Sequence, residues 1–586
     1  MQVSLLTFLV SFKRINFLDS LIFSLLTSSI TIYVLEIFHL NSFSIIIISG
    51  IVITLFVCTL MHLKKISLGL DLLKIPYYLI VIWLIVRIPN NFKFLAWDEL
   101  SAWAHRSKWL YFHGSLWVKS QLEYFPMYPP ILQFLHQIYL DPKGTNFSEK
   151  TVMATQVILV LALFGSIFLN DSTRNRLTKY AGLSVGLVSP YFFGFNLFTL
   201  VPDFLLGLLF AYGLVKVHIF ISREERIIIL LPVLGFITLL KPSGIIFSLA
   251  LILYAFVRKF SLKNITLLSL WTFFFYASWQ IYVATNGIYN KGFTLAGIFG
   301  KFLFYFSKNP NSNAQSGLEM NNTNPVHVLK KMFLDYFDGT IRFALVFFTL
   351  SLCLFFRYRP DKKIIFFGLA VWVACELMLF ATYIFLMSGY EADNTASHER
   401  YTATLFFAFT LVFIWNFFEL EKEPFQFLGL AFVMFMNAVV PNNLIRDFES
   451  IQPYPEAVEL RNDASSILKG LDIQVGLSIL YVEQNAPSVG YTRLMVAYEA
   501  IPSTVEAGCW SFGSPYYPTD IWTCHGSLSA KLSQKDFVVI RHGDTQFYRL
   551  LSSEKVAFDK RLESGIFKVS TSGSTISLTT VRGKIL

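Results

Sequence analysis

The chain has 586 residues, of which 54% are hydrophobic, 17% aromatic and only 15% charged, and its mean hydropathy is +0.55. That balance excludes a water-soluble globule of this size and predicts a polytopic membrane protein. The formal net charge of +10 is not a nucleic-acid signal, because the Lys and Arg residues gather in short loops between apolar runs, where the positive-inside rule places them.

Runs long enough to cross about 30 Å of hydrocarbon recur along most of the chain. The first, near Ile15 to Phe38, lacks a small-residue cleavage site and is longer than a signal h-region, so it reads as a retained span. With Lys13 and Arg14 cytoplasmic, spans are predicted at 15–38, 43–61 and 75–90, which puts the loop carrying Asp98 and Glu99 outside. Further spans at 151–169, 180–198, 203–221, 227–241, 243–257 and 264–283 lead to a long polar loop, again outside. The last four, at 341–357, 364–388, 402–419 and 425–441, complete a mainly α bundle of about thirteen spans.

The sequence thus divides into a transmembrane body, 1–444, with external loops 91–150 and 285–340, and a C-terminal domain, 445–586, on the same external face. In the tail, Val475–Val482, Asp536–Arg541 and Ser574–Thr580 are short β-type runs separated by Gly, Ser, Asn and Pro, which predicts a small α/β domain. Cys58, Cys353 and Cys375 fall in predicted spans, as small apolar side chains. Cys509 and Cys524 lie in the external tail and are expected to form a disulfide.

Carboxylates at a membrane boundary cost desolvation energy unless they are hydrated, paired or used. Asp98 and Glu99 are therefore candidate functional groups; the alternative is an interfacial acid paired with Arg106 or Lys108. Around them Trp97, Trp103, Trp109, Tyr111 and Trp117 alternate with Ser101, His105, Arg106 and Lys108, which predicts a helix lying in the interface with its rings at headgroup depth. Further on, Tyr128-Pro-Pro130 returns the chain to the membrane through a rigid turn.

Three later positions reach the same predicted face. Asp203 follows Pro202 at the tip of a membrane hairpin, as a helix cap or as a working acid. Lys241, in Leu239-Leu-Lys-Pro-Ser-Gly244, either snorkels or holds a phosphate. In Ser397-His-Glu-Arg-Tyr401, the residues His398, Glu399 and Arg400 cannot all face one way on a helix; Arg400 is the choice for a phosphate contact, since guanidinium makes paired hydrogen bonds to oxyanions. The loop 285–340 contains Gly297–Phe306, apolar but too short to span, and a polar run from Asn309 to Asn324, read as an interfacial segment beside a mobile flap.

An Asp-Glu motif in the first large external loop, a downstream Tyr-Pro-Pro and a polytopic body with an external C-terminal domain together resemble the GT-C membrane glycosyltransferases, in the bacterial branch of protein mannosyltransferases and aminoarabinose transferases. The resemblance implies a polyprenyl-phosphate sugar donor, a surface glycan or glycolipid acceptor such as lipopolysaccharide O-antigen, and location in the inner (cytoplasmic) membrane with an extracytoplasmic site. It implies Asp98 as the base with Glu99 orienting the site, Lys241, Arg400 and His398 around the phosphate, and Asp203, Trp97, Trp103 and Tyr128 in an acceptor or second acidic site. Some members use a divalent cation, for which Asp98, Glu99, Asp203 and His398 are the candidate ligands here. The competing readings are a transporter or flippase, or a polymerase, for lipid-linked saccharides. Against the transporter, mid-span ionisable residues are few apart from Glu376.

Overall fold

The computed structural model describes residues 17–38, 74–118, 126–140, 146–169, 176–220, 227, 229–288, 324–337, 349, 362–385, 387, 389–419, 455–469, 471–484, 490–506, 509–512, 524, 526–573 and 575–585. The spans expected at 43–61 and 425–441, all but residue 349 of the one at 341–357, the apolar segment 297–306, Cys58 and Cys353 lie outside these residues.

The chain is mainly helical. In order, the helices are α1 (Phe17–Ile37), α2 (Ile75–Arg87), a single π-helical turn (Glu99–Trp103) running into α3 (Ala104–His113), α4 (Ile131–Gln137) and α5 (Glu149–Leu169). Next come α6 (Arg176–Phe192), α7 (Pro202–Phe220), α8 (Leu230–Leu240), α9 (Gly244–Val257), α10 (Leu262–Thr285) and α11 (Pro325–Asp335). They are followed by α12 (Lys362–Phe385), α13 (Gly389–Asp393), α14 (His398–Glu419), α15 (Pro455–Leu468), α16 (Tyr491–Glu499), α17 (Leu528–Leu532) and α18 (Thr545–Ser553). Six strands accompany the last four helices: β1 (Ser478–Glu483), β2 (Thr504–Val505), β3 (Phe537–Arg541), β4 (Ala557–Phe558), β5 (Leu562–Ser572) and β6 (Thr575–Ile585).

Two compact units divide the chain. The first is Met1–Asn90, Met127–Tyr139 and Lys150–Ile451; the second is Asn91–Pro126, Leu140–Glu149 and Gln452–Leu586. The flanks of the first loop, which the sequence division attaches to the membrane body, thus belong with the C-terminal residues.

Among the described residues of the first unit, five helices are long and apolar enough to cross a membrane: Phe17–Ile37, Glu149–Leu169, Pro202–Ile219, Leu262–Thr285 and Phe366–Phe385. Of the other helices, α8 and α9, expected as full spans, have only 11 and 14 residues. Burial sorts the helices. α5 and α7 are mainly apolar and nearly wholly enclosed, as expected of central elements. α2, α9, α10 and α12 instead expose stripes of large apolar side chains, such as Leu79, Trp83 and Val86, or Leu249, Leu253 and Phe256. Such faces are stable against hydrocarbon and not against water.

The second unit is a mixed α/β domain in which β1, β3 and β6 overlap the predicted β-type runs. Its single sheet has the order β2-β1-β3-β5-β6-β4. β1 is parallel to β2 and β3, while β3 and β5, and β5 and β6, are antiparallel. Leu480, Val482, Val538, Ile540, Phe547 and Leu551 form its core, and the disulfide joins Cys509 to Cys524.

The same unit clasps the stretch just before Asp98. Arg461, almost wholly buried, donates from its Nε to Glu499 (2.7 Å) and from Nη1 to the Phe94 carbonyl (2.7 Å) and to Glu149 Oε2 (2.9 Å). Glu149 in turn accepts from the Phe94 amide at 2.6 Å. On either side Lys93 donates to Asn462 and Tyr491 to the Leu95 carbonyl. The backbone of Phe94 and Leu95 and the side chain of Lys93 are fixed in this way.

Candidate functional site

The residues expected at the site fall into three groups. The first is built on α7, α8 and α14. Asp203 is the second residue of α7, behind Pro202, which occupies the first helical position where its missing N–H costs nothing. Lys241 follows the last turn of α8 in extended conformation, φ −155° and ψ 155°, because Pro242 cannot continue the helix. Gly244 then lets α9 begin directly against α8: a Cβ there would lie 1.9 Å from the Ile237 carbonyl oxygen. Likewise Gly207 lets α7 meet α14, since a Cβ would lie 2.8 Å from the Thr404 carbonyl oxygen.

These approaches bring three charges together. Lys241 Nζ donates to Asp203 Oδ1 at 2.7 Å, and Arg400 Nε lies 3.1 Å from Asp203 Oδ2. Lys241 also stands 4.2 Å from the centre of the Tyr401 ring, a cation–π contact. Two cations thus face one carboxylate. Asp203 and Lys241 line a cavity of about 430 Å³ with Tyr128 and Tyr401 at its polar part; Leu206, Phe247, Met378 and Leu379 supply apolar walls. Trp279 Nε1 donates to the Met127 carbonyl at 2.8 Å, which anchors the turn that presents Tyr128. An amphiphile with an anionic head and a hydrocarbon tail matches this lining.

The second group corrects the expectation for His398. It does not line that cavity; it is fully buried, with Nδ1 3.1 Å from Asp335 Oδ2 and Nε2 3.0 Å from Glu376 Oε2. Tyr336 and Thr402 donate to Glu376, and Thr395 to Asp335. The turn before α14 puts Thr395 at φ 46° and Ser397 at φ 65°, a costly left-handed conformation for a β-branched residue. The imidazole thus ties α11, α12 and α14 together, which a reading of His398 as the neighbour of Arg400 in sequence does not anticipate.

The third group lies in the second unit. Asp98, half-buried, precedes the π-helical turn and makes no cap hydrogen bond to it; single π turns are frequent at functional sites. Glu99 is buried, and its Oε2 accepts from the Ala96 amide at 3.2 Å, a local backbone role. Trp97 is partly exposed and stacks on Tyr491 at 6.5 Å. The interfacial helix is overturned here: Trp103, Trp109 and Trp117 are buried, and Arg106 stands over both Trp103 and Trp117 at 5.4 Å. Stacking on guanidinium and burial in a domain core outweigh headgroup placement. Burial, reinforced by Lys108 and Arg106, pushes His105 down to about 3, so this imidazole is neutral at pH 7. Burial also pulls Lys108 down to about 8 against the attraction of Glu499 and Glu149.

Sequence reasoning missed one further cluster. Asp19 and Lys216 are both buried and paired at 2.7 Å, with Tyr212 and Ser166 also donating to Asp19. The signal was present as an acid near the start of α1 and a lysine in the last turns of α7, both within mainly apolar runs. Among the described residues no group of three or more His, Cys, Asp or Glu side chains is arranged to hold a metal ion. Compared with known proteins, the chain matches no family model, no curated protein and no solved structure.

Proposed function

We propose that the chain is a membrane glycosyltransferase that moves a monosaccharide from a polyprenyl-phosphate donor to an extracytoplasmic acceptor, a surface polysaccharide such as O-antigen. The observation that carries this reading is the cation pair, Lys241 and Arg400, set on Asp203 beside an apolar-walled cavity of about 430 Å³. In the reaction an acceptor hydroxyl attacks the anomeric carbon as the bond from that carbon to the phosphate oxygen breaks, with inversion. The electron pair leaves on the phosphate, where Lys241 and Arg400 stabilise it. The hydroxyl proton passes to a carboxylate.

Asp98 is our choice for that base, as the half-buried carboxylate directly before the π-helical turn. The full span count of about thirteen, the placement in a cytoplasmic membrane and the external site belong to this proposal. The Cys509–Cys524 bridge supports the external placement of the tail, since disulfides persist in oxidising compartments.

The test is binding of bare undecaprenyl phosphate to the reconstituted full chain. Lys241→Met should weaken it about tenfold or more, the equivalent of roughly 1.4 kcal/mol, and abolish sugar transfer; unchanged lipid binding in that variant defeats the reading. A second reading, transport of a lipid-linked saccharide, is favoured by the buried pairs Asp19–Lys216 and Glu376–His398 inside the helical unit, as intramembrane charges often mark a path. Movement of a lipid-linked sugar between leaflets without its transfer to any acceptor is the result that selects it.

A further inference from the structure

Arg400 lies in the first turn of α14, so whatever holds that turn decides where the guanidinium is presented. At 3.6 residues per turn, His398 and Thr402 share one face of the helix, while Arg400 and Thr404 share another, with Arg400 about 200° round from His398. The contacts follow that division. On the first face, His398 Nε2 is 3.0 Å from Glu376 Oε2, and Thr402 donates to Glu376 Oε1 at 3.0 Å. On the second, Arg400 Nε is 3.1 Å from Asp203 Oδ2, and a Cβ on Gly207 would lie 2.8 Å from the Thr404 carbonyl oxygen. The turn is thus held between α12 on one side and α7 on the other.

The two holds are unequal. Glu376 also accepts from Tyr336 at 2.6 Å, and Asp335 Oδ2 meets the other ring nitrogen of His398 at 3.1 Å. Engaged at both nitrogens, the ring is locked in one rotamer. Just before the helix, Tyr383 donates to the Ala396 carbonyl at 2.9 Å. His398 is fully buried, so breaking these contacts leaves polar groups without replacement. The Arg400 side chain is by contrast 34% exposed, and a charge pair open to water contributes little of its own. A turn pinned hard on one face and lightly on the other takes its position from the pinned face.

We infer that His398 is a positioning residue for Arg400: by fixing the first turn of α14 on Glu376 and Asp335, it sets the rotation and height at which the guanidinium meets Asp203. The next residue, Tyr401, is carried by the same turn to its place 4.2 Å from Lys241. This role rests on the phosphate reading of Arg400, and it gives the Glu376–His398 pair a part in that reading. His398 does not line the cavity and acts through its neighbours on the helix.

The test uses the full chain in lipid nanodiscs and the variants Arg400→Met, His398→Gln and the two together. A glutamine amide has one nitrogen, so it donates to the carboxylates from a single atom where imidazole faces them with two. Binding of bare undecaprenyl phosphate should fall about tenfold in either single variant and no further in the double, because without Arg400 nothing remains to be positioned. Unchanged binding in His398→Gln, or losses that multiply in the double, overturns the inference. Thr402→Val leaves Tyr336 on Glu376 and repeats the cycle with a milder change: it should weaken binding when Arg400 is present and have no effect when it is absent.

A second readout needs no lipid. The rate at which phenylglyoxal modifies Arg400, located by peptide mass spectrometry, should rise several-fold in His398→Gln, while that of Arg258, the residue after α9 in the same unit, stays as it was. No rise at Arg400, or an equal rise at both, overturns the positioning role. If Lys241→Met and Arg400→Met leave lipid binding unchanged, the phosphate reading falls, and the modification rate of Arg400 alone decides for or against His398.

Discussion

Lys241 and Asp203 are 38 residues apart in sequence, yet Nζ and Oδ1 are 2.7 Å apart in a nearly closed environment. Removing one partner from a buried pair leaves an uncompensated charge, at a cost of roughly 3–5 kcal/mol. Arg400 shares the same carboxylate, which makes the two truncations unequal. Lys241→Met leaves Asp203 with Arg400, whereas Asp203→Asn leaves two cations facing each other. Asp203→Asn should be the more destabilising in thermal unfolding of the detergent-solubilised chain, and the double variant should cost less than the sum. Additive costs would show that the pair does not interact as described.

Gly244→Ala tests how Lys241 is placed. The added methyl would meet the Ile237 carbonyl at 1.9 Å, so α9 must move away from α8 and take the Lys241 turn with it. A loss of roughly 1–3 kcal/mol is expected from such overpacking, together with weaker binding of undecaprenyl phosphate at unchanged helix content. Lipid binding equal to that of the unmodified chain would mean that the turn tolerates displacement.

The clasp on Phe94 predicts that Arg461 controls the order of the segment before Asp98. Arg461→Met removes its bonds to Glu149, Glu499 and the Phe94 carbonyl and leaves two half-buried carboxylates without their guanidinium, a loss of roughly 1–3 kcal/mol. Amide hydrogen exchange at residues 93–99 should rise by at least an order of magnitude, while that of α7 stays as it was. Uniform loss of protection throughout the chain would instead indicate general unfolding.

The disulfide gives a prediction from loop length alone. Cys509 and Cys524 are fifteen residues apart, and closing such a loop contributes roughly 3 kcal/mol in the chain-entropy model. The double substitution Cys509→Ser and Cys524→Ser should lower the urea midpoint of the C-terminal unit accordingly. Thiol reagents should label the native pair only after reduction.

How far the sequence was legible depends on the range of the interaction. The apolar runs of α1, α5, α7, α10 and α12 were legible because each helix satisfies its own backbone and its period is local. So were β1, β3 and β6, whose runs are bounded by turn residues. Asp203, Lys241 and Arg400 were named singly from punctuation by Pro202, Pro242 and the start of a late helix; their meeting depends on Gly207 and Gly244, whose close approaches leave no mark in a single sequence. His398 was misread for the same reason. Arg400 is only two residues away in sequence, but the partners of His398, Asp335 and Glu376, are 63 and 22 residues away. The tryptophans around Asp98 have the composition of an interfacial helix, and only Arg106 and the fold of the second unit turn them inward.

Two groups in the second unit set its dependence on pH. Burial alone would raise the Glu499 carboxyl, but Arg461 and then Lys108 outweigh it and hold it below the usual glutamate range. A lowered acid pKa stabilises the folded state above the unfolded value, and that contribution disappears as pH falls through the folded one. Lys108 behaves in the opposite sense to a paired lysine: burial brings it down to about 8. The unfolded chain then binds more protons than the folded one between about 8 and the ordinary lysine value, so stability rises with pH across that window. The measurement is the urea midpoint at which a cysteine introduced by Val539→Cys, a fully buried position, becomes open to labelling. That midpoint should fall on the acid side and rise above pH 8. Glu499→Gln should shrink the acid slope and Lys108→Met should remove the alkaline rise; identical profiles in all three proteins would show that neither group titrates with folding.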